Sequence, residues 1–374
     1  MASTAAVCVV GALLVGGLLM ANTGASPTAS SASTASTTAD VIAGPTTEAG
    51  ETRTITRQRM AQTLSTIGPS MVALAVTVGG RTIDSTAVTV GGGGVVVALA
   101  SALAGATSVT TVDRGGHRTS AALLASDPTS NLAILRVNGA PPVAQFSDAA
   151  DLKPGDATVA VAPEPRTDRT GVTDAVYAGT VRSSGTAVNA DATTTAMSAT
   201  TVNAPLNQGD AGCALINQAG DVAGIMDTTT TMNGRRVSVF LPADLVVGVA
   251  AQLMATGSVQ HGWLGVDASD LRSSPPGART ASTASTASTA RTTSTGTARG
   301  ALVDTVQAGG AAAQAGIRVG DSIVDIDGRS VRSLADLRTR LYAEPPGAAV
   351  TVTYTRGGIP STVGVELTGA SPTG

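Results

Sequence analysis

Aromatic side chains are the scarcest class in this 374-residue chain: one Trp, three Tyr and two Phe make up 2% of it. With 43% of residues hydrophobic, the core has to be assembled from Val, Ala, Leu and Ile instead. A composition rich in Val, Thr and Gly suits β-sheet better than a helical bundle. Histidine is limited to His117 and His261, which excludes a histidine-rich metal site. Of the two cysteines, Cys8 lies in an apolar run and Cys213 in a glycine-containing loop. That leaves neither a disulfide framework nor a cysteine-based metal site, and no metal or cofactor is expected. Lys153 is the only lysine, and the formal charge of −3 is spread over a long chain, so nothing points to nucleic acid as a partner.

The length leaves room for two or three domains and a substantial core. Residues 5–21 carry no charge. As a helix they would span about 25 Å, a little less than a hydrocarbon core. Residues 1–24 therefore read as a secretory signal peptide or a membrane anchor, although residues 1–4 lack the usual basic flank. Either way the rest of the protein is exported. Residues 25–50 are rich in Ser, Thr, Ala and Pro, the composition of a disordered stalk. The folded part opens at 51, with Met60, Leu64 and Ile67 at helical spacing. Short β-type runs follow to 241, among them 95–98, 118–124, 132–137 and 222–227. A helix over 243–255 comes next, with Leu245, Val249 and Leu253 on one face. Residues 256–260 read as a hinge with His261 exposed beside it. A second domain covers 261–370, with a disordered Ala-Ser-Thr insertion over 272–299.

Within residues 202–226 the run Asn207-Gln208-Gly209-Asp210-Ala211-Gly212-Cys213-Ala214-Leu215 resembles the nucleophile loop of HtrA-type serine proteases. Leu206 and Asn207 precede it, and Asn217, Gly220, Val222, Gly224 and Ile225 follow the family pattern downstream. Residues 95–106 resemble the family's general-base segment, their closing Ala104-Gly105-Ala106 setting the register. Asp127-Pro128-Thr129-Ser130-Asn131-Leu132-Ala133 resembles its aspartate segment. The resemblance implies a mostly β fold, a trypsin-like double six-stranded β-barrel over 51–255. It also implies that the three catalytic positions are occupied by Ser101, Asn131 and Ala211. Alanine has no atom that can attack a carbonyl, and a serine hydroxyl is no base near neutral pH. Asparagine accepts a hydrogen bond but lacks the charge that stabilises an imidazolium. The backbone N–H groups of Gly209 and Ala211 stand where the family has its oxyanion donors. Cys213 lies two residues past the nucleophile position and reads as a small buried thiol rather than a replacement nucleophile.

Residues 311–327, followed by Gly328, resemble the core motif of a bacterial PDZ domain, an α+β fold. Such a domain binds a carboxy-terminal peptide as an added strand. The resemblance places the carboxylate loop at Trp263, Leu264, Gly265 and Val266, and Leu337 and Leu341 on a groove helix, where they either line the pocket or serve as core residues. What the whole resemblance implies is an inactive protease-fold protein that binds carboxy termini or unfolded segments at the cell envelope. It would act as a homotrimer or beside an active relative, held at the membrane by its amino-terminal helix. The alternative is an active serine endopeptidase.

Overall fold

The computed structural model of the chain describes residues 41–42, 57–147, 152–165, 171–188, 197–271 and 300–369. The amino-terminal apolar run, the expected stalk over 25–50 apart from residues 41–42, and the expected insertion over 272–299 lie outside them. Among the described residues no helix is long and apolar enough to cross a membrane.

Helix α1 (Arg57–Ile67) opens the body. Met60 and Ile67 are buried and Leu64 packs beside them, as the spacing predicts. The first barrel uses strands β1 (Met71–Val78), β2 (Arg81–Gly91), β3 (Val95–Leu99), β4 (Ala106–Val112), β5 (Arg118–Ser120), β6 (Ala122–Asp127) and β7 (Leu132–Arg136). Their order is β5-β4-β1-β2-β3-β7-β6. Seven strands appear where six are expected because the run 118–124 breaks at Ala121. The N–H of Ala121 turns to the Val109 carbonyl at 2.9 Å, which ties β6 back towards β4.

The second barrel is formed by β8 (Ala157–Pro165), β9 (Val172–Val188), β10 (Met197–Asn203), β11 (Ala214–Ile216), β12 (Val222–Met232) and β13 (Arg235–Pro242). It closes on itself, since β8 pairs with both β9 and β11. Val41–Ile42, inside the stretch expected to be a disordered stalk, instead adds a short parallel strand against β9, where backbone pairing to Val176 and Tyr177 holds it. Helix α2 (Ala243–Thr256) then packs across both barrels, burying Leu245, Val249 and Leu253 in the largest core cluster with Val97, Ile134 and Ile225. Gly257, in the left-handed conformation, returns its N–H to the Leu253 carbonyl and ends the helix.

The second domain is a six-stranded sheet whose main path runs β14 (Val266–Asp270), β15 (Ala301–Val306), β16 (Ser322–Ile326), β17 (Ala349–Arg356), β18 (Ile359–Glu366), with the short strand Arg329–Ser330 paired to β16 off that path. Helices α3 (Ala311–Gln314) and α4 (Leu334–Ala343) cover it. Residues Gly262–Trp263 pair with Thr368–Gly369, so the domain begins and ends in one short ladder. One side of α4 docks on the second barrel and on α2. Ser198 donates its N–H to Thr339 Oγ1 at 2.8 Å and its hydroxyl to Asp336. Arg332 reaches Ser184 Oγ at 2.7 Å, and Arg340 pairs with Asp244.

Candidate functional site

Ser101 lies in a one-turn helix (Ala100–Leu103) that follows β3, and it is exposed. Its N–H donates to Asn131 Oδ1 at 2.8 Å, while the N–H of Ala100 donates to the Asn131 carbonyl at 2.9 Å. Asn131 can hold this post because its backbone is left-handed (φ 58°), a conformation asparagine tolerates better than most side chains. Its other amide end, Nδ2, donates to Asp227 Oδ1 at 2.6 Å. Asp227, on β12, is buried. The structure therefore joins Ser101 to Asn131 and adds a carboxylate from the other barrel. Reading the sequence missed Asp227, whose partner is 96 residues away and leaves no local pattern.

Ala211 follows the 3₁₀ turn Gln208–Asp210, in which Gly209 is exposed. Its methyl is half-buried against the main core, and its carbonyl accepts the N–H of Thr86 on β2 at 3.4 Å. Gly212 comes next with φ 90°, and a Cβ there would lie 2.2 Å from the Thr86 carbonyl oxygen. The loop is thus pressed against the first barrel at a point where only glycine fits.

Beneath the loop, burial pushes the Asp210 carboxyl up from its ordinary range, even though the Asn207 N–H donates to it at 2.7 Å; the neighbouring Glu164 adds to the rise. Tyr177 donates its hydroxyl to Glu164. Cys213 is fully buried, its thiol directed at Met226 Sδ 3.7 Å away. Burial first, and the charge of Asp210 second, push this thiol well up, so it keeps its proton at neutral pH.

Both imidazoles are engaged elsewhere. His117 sits in an exposed turn, 3.0 Å from Asp113 Oδ2. His261, expected to be an exposed hinge residue, is instead lodged between domains with 12% of its side chain accessible. It stacks on Tyr342 (centroids 4.3 Å apart), and its Nε2 lies 3.3 Å from Asp127 Oδ2, off the line of a hydrogen bond. The enclosure has a local cause: α2 packs against both α4 and β6 beside the connection between domains, and the ring fills the space between Tyr342 and Asp127. Burial raises the Asp127 carboxyl, but His261 and Ser130 together more than offset this and hold it below its ordinary value.

In the second domain Leu264 is fully buried and its carbonyl accepts the Ala312 N–H at 2.8 Å. Gly265 has φ 78°, and its carbonyl accepts the Gln307 N–H at 2.8 Å. The segment Trp263 to Val266 thereby becomes a shaped turn leading into β14, which among the described residues pairs only with β15. Helix α4 runs beside that free edge, and Asp270 at the end of β14 accepts the Leu334 N–H at 2.7 Å. Leu337 and Leu341 are buried within the domain's core.

A trypsin-like peptidase domain model matches residues 85–225, and a PDZ domain model matches residues 262–367. The serine protease Do-like HtrA of Lactococcus lactis subsp. cremoris is 30% identical over 286 residues, which cover 74% of this chain and 68% of that protein. The periplasmic serine endoprotease DegP of Escherichia coli is 26% identical over 257 residues, 67% of this chain and 50% of DegP. The solved structure of the HtrA-type protease AlgW with a tripeptide superimposes with a TM-score of 0.56 at 24% identity, covering 84% of this chain and 98% of that one.

Proposed function

The chain belongs to the HtrA family of serine proteases with a trypsin-like peptidase domain and a PDZ domain, and from that premise we propose that it binds peptides without cleaving them. One observation carries the reading: the loop position that needs a nucleophile holds Ala211, whose methyl packs into the core. Ser101 and Asn131, joined by a hydrogen bond at 2.8 Å, supply neither a base near neutral pH nor the charge to support one. Losing a nucleophile and its base costs on the order of 10⁶ in turnover. The buried, protonated Cys213 thiol offers no substitute. The peptide partner would be a carboxy terminus or an unfolded segment, added to the free edge of β14 with its terminal carboxylate on the backbone N–H groups of residues 264–266. The backbone of Gly209 and Ala211 would keep an oxyanion-type pocket without chemistry behind it.

An envelope location outside the cytoplasm, and assembly as a homotrimer or with an active relative, belong to the same proposal. DegP is named as periplasmic, which supports the location. The second reading is an active serine endopeptidase, favoured by the names of the relatives. Casein hydrolysis by the purified protein separates the two. Ala211→Ser is run beside the wild type, as is the triple variant Ala211→Ser, Ser101→His, Asn131→Asp. No wild-type turnover, with hydrolysis appearing only in the triple variant, is the expected result. Wild-type turnover abolished by Cys213→Ala would instead make this a cysteine-dependent enzyme.

A further inference from the structure

The groove between β14 and α4 carries a pattern of charge that bears on which peptide it takes. On the inward side of β14 lie Val266, Ala268 and Asp270, in that order from the shaped turn. The start of β14 lies at the carboxy-terminal end of α4, where the Gly262 N–H donates to the Glu344 carbonyl at 2.9 Å. Asp270 reaches the other end of α4 through the Leu334 N–H. Leu334, Arg338 and Leu341 fall in one stripe along α4 by their i, i+4, i+7 spacing. Leu334 and Leu341 pack into the domain's core from this stripe. The docking residues Asp336, Thr339 and Arg340 occupy the opposite side.

Arg338, half-buried, therefore lies midway along this stripe, as Ala268, which offers only a methyl, lies midway along the inward side of β14. Of its neighbours, Arg332 is ion-paired to Asp336 of the same domain and hydrogen-bonded to Ser184 across the interface, and Arg340 is ion-paired to Asp244 across it. Arg338 makes no hydrogen bond or ion pair with any described residue. Among the described residues on the inward side of β14 the one carboxylate, Asp270, is held at the far end by the Leu334 N–H.

A strand added to β14 points alternate side chains at α4. The last residue would face the apolar end near Leu341, and the residue two before it would come alongside Arg338. We propose that Arg338 selects carboxy-terminal peptides bearing an acidic side chain at that third-from-last position. This rests on the peptide-binding reading above and names the ligand class of the same groove.

The test uses the full chain and fluorescently labelled decapeptides with a free carboxy terminus, a Gly-Ser body, and the endings Glu-Ala-Val, Ala-Ala-Val or Lys-Ala-Val. Anisotropy at low salt should show the Glu peptide binding roughly fivefold tighter than the Lys peptide, a typical reach for one charge pair at a half-open site. Arg338→Gln should level the series and Arg338→Glu should reverse it, with 0.5 M salt flattening the wild-type difference. Equal affinities in the wild type, or a preference for Lys, overturn the inference while leaving peptide binding intact. Binding that is unchanged when the carboxy terminus is amidated overturns the peptide-binding mode itself, and the inference with it.

Discussion

At the scale of single residues, two positions around the loop at 207–212 make opposite predictions. Gly212 combines φ 90° with a Cβ position 2.2 Å from the Thr86 carbonyl. Gly212→Ala should cost about 2–4 kcal/mol, through backbone strain and the displaced β2 contact, read as a lowered denaturation midpoint in urea. Asp210→Asn should do the reverse, and only above a certain pH. The folded state raises the Asp210 carboxyl by burying it, so ionisation works against folding. Stability falls as pH rises from the ordinary carboxylate range through the raised native value. The asparagine variant should therefore match the wild type in acid and exceed it at neutral pH, seen in melting temperatures across a pH series. The proposed catalytic positions are assigned from runs of residues with a recognisable pattern, and two of them, Ser101 and Asn131, are joined by a hydrogen bond in the structure. Asp227 was not legible in the sequence, because it meets Asn131 only after two barrels have closed.

Among the elements, most strands could be read from β-branched runs and turn residues, because period-two burial and glycine turns leave marks a few residues apart. The break at Ala121 left none: whether a run of Thr, Ser, Ala and Leu continues or splits depends on an acceptor on another strand, the Val109 carbonyl. Helix α2 was legible from its apolar face. Its second contact was not, since Gly248 is defined by how closely the end of α4 approaches it. A Cβ there would lie 2.4 Å from the Ala343 carbonyl oxygen. Gly248→Val should therefore lever α4 away from α2 while leaving the barrel face of the helix in place. Small-angle scattering should report a larger radius of gyration with little change in circular dichroism; an unchanged radius would show that the interface can absorb the extra volume.

For the whole molecule, the division into two domains was written in composition and motif, but the way they meet was not. Ser198 and Asp336, joined across the interface, are 138 residues apart, and polar residues of this kind look like ordinary surface until both domains are folded. His261 shows the same limit, looking exposed in sequence and lying enclosed between Asp127 of β6 and Tyr342 of α4. The proposed binding groove and the barrel interface would consequently share one helix, with Arg338 and the docking contact of Arg340 on opposite sides of the same α4.

The short ladder of Gly262–Trp263 with Thr368–Gly369 has a mechanical consequence. The strands are antiparallel and the chain enters and leaves at the same end of the pair, so tension between residues 262 and 369 would load its hydrogen bonds one after another, as a zip fastener is opened, rather than all at once in shear. A pull along the chain would thus peel the second domain open from its entrance, and the six-stranded sheet behind it would bear load only after that clasp had parted.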